Sequence, residues 1–324
     1  MSEVPSSCRA LQGGPRFDRA WLAPRHWGGW TAAACAWLLW RLPRRVRDGL
    51  AAALAPLAWR LAKRQRRIAD INLAVCFPEL DAAARAALIR RHFRLALRIV
   101  MDYGLAWFGD EAAIRRGVRL HGEEHIAAAQ AAGRRVIVMA VHALALDLGV
   151  CAFGVRHRAL GPYKALENPV IDWLIARGRT RFKGTVFERD EGIRPVVRGF
   201  RDGQILFYLA DEDLGPDSAV FVPFFALRKA TLNTLGRLAK LGDAVVLPSI
   251  TRLAADGRYD CHLLAPLADF PSGDVERDAR AMNAAVEALV RPDPAQYMWT
   301  LRLFKTRPPG EPSLYRRAAP TPEE

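Results

Sequence analysis

The hydrophobic pattern changes texture along the chain. Over about the first hundred residues, apolar positions come as unbroken runs or at helical spacing. From about residue 118, short apolar runs alternate with longer mixed segments. Residues 28–40 form an apolar run stopped by Arg41 and Pro43. A second run, 50–61, is broken by Pro56 and closed by the basic cluster 63–67. Each is shorter than the roughly 20 residues that span a bilayer, so the pattern fits a short or tilted span or a helix lying in the interface. Nearly thirty residues precede the first run, which argues against a cleaved signal peptide. Asp81 is a good N-cap for a helix over 82–99, with Ala84, Leu88, Leu95 and Ile99 near helical spacing. Arg85, Arg90, Arg91, Arg94 and Arg98 make its polar face basic, which suits either solvent or a membrane or partner.

In the second texture, residues 136–141, 204–210, 244–250 and 259–264 read as strands, and 278–289 as a helix stopped by Pro292. Strands alternating with helices predict an α/β fold with a mainly parallel central sheet flanked by helices. In such sheets ligands sit at the carboxyl ends of strands. That rule puts His142 and the Asp211-Glu212-Asp213 cluster at one edge. The domain expectation is a basic, Trp-rich membrane anchor over 1–67, a catalytic domain over 68–304, and a Pro-rich tail over 305–324 with little chemistry of its own.

Composition sharpens the first texture. The 324 residues carry 51% hydrophobic positions, enough for one large core with an appendage, and a formal charge of +14. Residues 1–70 hold thirteen Lys/Arg against four acids, and six of the nine Trp. Arginine beside short apolar runs, with tryptophan at their edges, suits a membrane interface. The basic residues are interleaved with Leu, Ala and Trp rather than Gly, Ser or Asn, which argues against a nucleic-acid-binding arm. The five cysteines have neither metal-ligand nor redox spacing, as expected of reduced thiols in a domain facing the cytoplasm.

The candidate chemistry sits at the end of the first strand, where His142 is followed by Asp147. Five positions on a regular helix turn through about 500°, leaving the two side chains about 140° apart. The pair works only across a turn, with His142 after the strand and Asp147 in the first turns of the next helix. There the carboxylate can accept the imidazole Nδ1–H and leave Nε2 as a base for a hydroxyl, while the helix N-terminus favours neutral imidazole. Taken alone the spacing is weak. No G-x-S-x-G elbow, phosphate loop, dinucleotide glycine pattern or H-E-x-x-H occurs. His121-Gly-Glu-Glu-His125 lacks an evident third ligand, and the half calcium loop from Asp211 places Val222 at its twelfth position, so no metal is expected. Arg177, Arg179, Arg181 and Lys183 offer cations to a phosphorylated lipid.

Longer blocks carry a resemblance. Residues 72–79, 122–126, 142–147, 168–173, 177–179, 208–216, 220–225, 296–299 and 304–308 resemble the bacterial lipid A late acyltransferases, the lauroyl/myristoyl family within the H-x4-D/E lysophospholipid acyltransferase-like superfamily. The resemblance implies a glycerolipid acyltransferase-like fold at the inner membrane, catalytic domain on the cytoplasmic side. It implies transfer of a fatty acyl group from acyl carrier protein to a hydroxyl of a lipid A precursor. No cofactor is implied beyond the donor's phosphopantetheine. His142 would be the base and Asp147 its orienting partner. Arg179 matches a family arginine linked to catalysis or phosphate binding, and Asp211 a family acidic position; Arg177, Lys164 and Arg181 are the substrate-binding candidates. Two stretches depart from the family pattern: Tyr163-Lys-Ala165 stands for Tyr-Arg-Pro and Glu212-Asp-Leu-Gly215 for His-Asp-Tyr-Gly. They leave acyl transfer intact and put the acceptor in question. The alternatives are another lipid acceptor, such as a lysophospholipid or aminolipid, and a non-enzymatic membrane-surface binding protein.

Overall fold

A computed structural model describes residues 17–217 and 219–315; of the expected anchor and tail, 1–16 and 316–324 lie outside the described residues. In chain order the elements are α1 (Trp27–Arg41), α2 (Arg44–Leu61), α3 (Lys63–Cys76), α4 (Ala82–Val100), α5 (Tyr103–Phe108), α6 (Glu111–Gly117), β1 (Val118–His121), α7 (Glu123–Ala131), β2 (Arg135–Ala140), α8 (Leu146–Arg156), β3 (Ala159–Tyr163), α9 (Pro169–Thr180), β4 (Gly184–Glu188), α10 (Arg194–Arg201), β5 (Ile205–Leu209), β6 (Ala219–Phe224), β7 (Leu227–Leu232), α11 (Thr234–Gly242), β8 (Ala244–Leu253), β9 (Tyr259–Leu263) and α12 (Val275–Val290).

The expected α/β fold is present. Seven strands form one sheet in the order β1-β9-β8-β2-β5-β3-β4, parallel throughout except where β8 turns back into β9. β6 and β7 form a separate hairpin. The four strands expected from the apolar runs are β2, β5, β8 and β9. β3 was not anticipated because Gly161 and Pro162 interrupt its pattern, and β1 and β4 are too short to show a period. The sheet carries apolar side chains on both faces, as a parallel sheet between helices requires. Along β2, Ile137 and Met139 join the cluster under α10, α11 and α12. Val136 and Val138 join the one under α7 and α8.

Two expectations about the N-terminal runs change. Pro56 does not break the second run: α2 continues through it, since proline deletes a single backbone bond in an Ala/Leu-rich helix. The basic cluster 63–67 opens α3 instead of closing α2. Asp81 caps α4 as expected, accepting from the Ala84 N–H at 2.7 Å. Among the described residues no helix is long and apolar enough to cross a membrane.

The N-terminal helices pack onto the body. Gly104 lets α5 touch α1: a Cβ there would fall 2.1 Å from the Ala36 carbonyl oxygen. Asp102, 2% exposed, ties together four parts of the chain. It accepts from Arg47 of α2, from Arg98 of α4, and from the Tyr259 hydroxyl of β9 at 2.6 Å. Removing one member of a buried charge network strands the others, a loss of about 3–5 kcal/mol. Asp102→Ala should therefore lower stability by about that amount in urea unfolding; a change under about 1 kcal/mol would show that the network is marginal.

Candidate active site

The register of two neighbouring strands builds the site. β2 and β5 pair with Ala140 opposite Leu209. Two residues further along each strand stand His142 and Asp211, and they meet. One Asp211 oxygen accepts the His142 backbone N–H at 2.7 Å, and the other lies 2.7 Å from the ring Nδ1. One carboxylate therefore fixes both backbone and ring, as the shared-edge expectation allowed. Nε2 has no hydrogen-bond partner among the described residues, so the Nδ1–H tautomer leaves it as the basic nitrogen.

Asp147 corrects the expected pairing. It does lie across a turn from His142, in the first turn of α8. Its carboxylate, however, faces α9 and accepts from Arg179 Nε at 2.7 Å. Parallel strands set 69 positions apart in sequence bring Asp211 to the ring, and Asp147 is left to hold the arginine. The electrostatics change accordingly. Burial lowers the His142 pKa, but the adjacent Asp211 carboxylate outweighs it and the net direction is up. Burial favours the protonated form of Asp211, and His142 reverses this, holding the carboxyl below its ordinary value. Arg179 follows the same logic: burial opposes its charge, and Asp147 more than restores it.

Two residues missed by sequence reasoning surround the pair. Burial and the Asp211 charge push the Tyr297 phenol well above its ordinary value, so it stays neutral. Lys229 is fully buried, with its ammonium 5.4 Å from the Phe224 ring centroid. Burial lowers its pKa against the pull of Asp211 and Asp213. Tyr297 lay inside a family-like block; an isolated lysine in a hairpin gave no signal.

The C-terminal segment clamps this edge. The His142 carbonyl accepts from Met298 N–H at 2.8 Å, and Leu144 N–H donates to Gln296 at 2.9 Å. Asp213 accepts from the Thr306 N–H and hydroxyl at 2.6 and 2.8 Å. The start of the expected tail thus holds the loop after β5. Glu212 pairs with Arg189 at 2.8 Å.

Of the other cations, Arg177 and Arg181 turn to α5, donating to the carbonyls of Trp107 and Leu105. Lys183 donates to the Arg156 carbonyl. Lys164 is exposed after β3. Arg179 lines a cavity. That cavity exists because the sheet parts. β3 pairs with β5 only through Ala159 and Leu160, whereas it follows β4 as far as Tyr163. The gap forms an apolar slot of about 570 Å3, counting its open mouth, lined by Leu146, Val150, Phe153, Gly161, Phe207 and Leu209 among others. Its enclosed part is small, about 50 Å3, below the roughly 300–1,000 Å3 typical of small-ligand sites, so a ligand enters only as the walls widen.

Comparison with known proteins places this geometry. The family model described as bacterial lipid A biosynthesis acyltransferase matches residues 14–306, spanning His142, Asp147, Arg179 and Asp211. The chain is 36% identical over 303 residues to the lipid A biosynthesis lauroyltransferase of Escherichia coli K12, covering 93% of this chain and 99% of the relative. Against the lipid A biosynthesis myristoyltransferase of the same organism it is 36% identical over 308 residues, covering 94% of each. Against the palmitoleoyltransferase it is 32% identical over 302 residues, covering 93% and 98%.

A base must be neutral to accept a proton, so turnover should rise with pH through a midpoint above the ordinary histidine value of 6.5. Asp211→Asn removes the charge that raises that midpoint and favours the wrong tautomer. It should move the acidic limb of the kcat/KM profile to lower pH and cut turnover by about 10^3–10^4-fold. Asp147→Asn should leave the limb in place; a limb that follows Asp147 instead would overturn the assignment. The stability linkage has matching signs. The His142 contribution is complete below its ordinary value and lost as pH rises through the raised one. The Asp211 contribution is present above the ordinary carboxylate value and lost as pH falls through the lowered one.

Proposed function

Because the chain belongs to the bacterial lipid A biosynthesis acyltransferase family and is an acyltransferase, we propose that it moves a fatty acyl group from acyl carrier protein to a hydroxyl on an acyl chain of a lipid A precursor. The product is an acyloxyacyl ester. The observation that carries the reading is the His142–Asp211 pair at the strand edge; Arg179 lines the apolar slot between β3 and β5.

The chemistry follows from the arrangement. Nε2 of His142 takes the proton of the acceptor hydroxyl as its oxygen attacks the thioester carbonyl. Asp211 stabilises the imidazolium so formed. Collapse of the tetrahedral intermediate breaks the carbon–sulfur bond, and the departing sulfur takes the proton back from the imidazolium. Arg179, held charged by Asp147 on the slot wall, supplies positive potential for the developing oxyanion. The acyl chain lies in the slot.

The encounter is electrostatic and interfacial. A net charge of +14 favours an acidic carrier protein. Among the described residues, nine of the sixteen large exposed apolar side chains lie at residues 17–61, including Trp27, Trp37, Leu57 and Leu61. With the neighbouring arginines they suit helices lying in the cytoplasmic leaflet of the inner membrane.

Mass spectrometry of lipid A from a strain lacking this chain tests the proposal. One secondary acyl chain should be missing, restored by the wild-type chain and not by His142→Ala. Unchanged lipid A with altered phospholipids would contradict it. The slot has its own test. A Cβ at Gly154 meets nothing closer than 3.7 Å, so Gly154→Leu is tolerated at the backbone and fills the slot. In competition between acyl carrier proteins of different chain length, the variant should prefer shorter acyl groups; an unchanged profile would place the chain elsewhere.

A further inference from the structure

The outer end of the sheet carries a second cluster of chemistry-bearing side chains. β1 and β9 run parallel with His121 opposite His262 and Arg119 opposite Asp260. Burial alternates along β9: Tyr259, Cys261 and Leu263 are buried, while Asp260 and His262 face the open side. The two imidazoles stack, ring centroids 4.7 Å apart and planes 15° from parallel. His121 Nε2 lies 2.9 Å from an Asp260 oxygen. One ligand atom from each of His121, Asp260 and His262 lies within 4.8 Å of the other two.

We propose that these three side chains form a surface site for a divalent transition metal ion of the Zn2+ class, stapling the edge strand β1 to β9. Two imidazoles and one carboxylate are a donor set that such an ion takes, with water in the fourth position. The ligand edge of a zinc tetrahedron with bonds of about 2.0–2.1 Å is roughly 3.3 Å, so side-chain rotations of an ångström or so close the site. Strand pairing already sets the two histidines side by side.

The Asp260 carboxylate is also held from its outer side. Arg119 donates to both oxygens of Asp260, at 2.6 and 2.9 Å, and fixes the carboxylate's orientation. The Arg119 charge is shared with Asp256 at 2.9 Å. Arg252, on the neighbouring strand, donates to the Leu289 carbonyl. Neither arginine occupies an imidazole nitrogen. In the sequence, His121 looked like half of a site built with His125. Its partners instead come from a strand about 140 residues later, which spacing along the chain conceals.

The site lies on β1 and β9, three and two strands from β2, so metal binding can be read without reference to turnover. The experiment uses the full chain without an added polyhistidine tag, stripped with chelator. Co2+ is titrated as a spectroscopic probe and Zn2+ by calorimetry, with thermal unfolding followed in parallel. One equivalent of Co2+ should give visible d–d absorption that Zn2+ abolishes, and Zn2+ should raise Tm. His262→Ala and His121→Asn should each weaken binding at least tenfold and lose the Tm shift, with circular dichroism confirming that they fold. His142→Ala should bind as wild type. Binding that survives both histidine substitutions, or no binding below millimolar Zn2+, would overturn the assignment.

Discussion

The buried carboxylate of Asp211 is the constraint on which the active site depends. A charge with 1% exposure is costly unless its partners compensate, and here both oxygens are occupied by one residue, His142. The backbone bond places the loop after β2, and the ring bond selects the tautomer. Neither function can be lost without the other. The same contact couples chemistry to folding: what raises the imidazole pKa for catalysis also ties part of the stability to pH.

Around this pair, the architecture solves a positional problem. Acyl transfer to a lipid needs a base beside an apolar space, without exposing that space along its whole length. The sheet parts after Leu160, so a slot opens between β3 and β5 while β2 and β5 stay paired through Ala140 and Leu209. The α8 helix packs closely on β8, where a Cβ at Gly149 would fall 2.0 Å from the Thr251 hydroxyl, and its Leu146, Val150 and Phe153 line the slot. Its first turn delivers Asp147 to Arg179. The C-terminal segment, bonded to His142, Leu144 and Asp213, locks the edge from the other side. Asn72 in turn donates to the Trp299 and Leu301 carbonyls, so an N-terminal helix supports that clamp.

The central strands were legible because β2, β5, β8 and β9 carry apolar runs bounded by polar residues. Strands with Gly and Pro, such as β3, were not, since tertiary burial overrides their weak local preference. His142 and Asp211 were both found, and the strand-end rule put them at one edge. The partner of His142 was misread because spacing along one segment favours the near acid, whereas register between strands decides contact. Arg177 and Arg181 were read as free cations; sequence does not reveal that the α5 carbonyls turn them inward. Lys229, a buried cation in a hairpin, had no local signature at all.

Nitrogen-15 NMR of histidine-labelled protein, with the His142 resonance assigned by its loss in His142→Gln, tests the central claim most directly. Above its pKa, His142 should carry its proton on Nδ1 with Nε2 bare. Asp211→Asn should shift the population toward the Nε2–H form, and Asp147→Asn should not. A wild-type Nε2–H tautomer, or a tautomer governed by Asp147, would contradict the account.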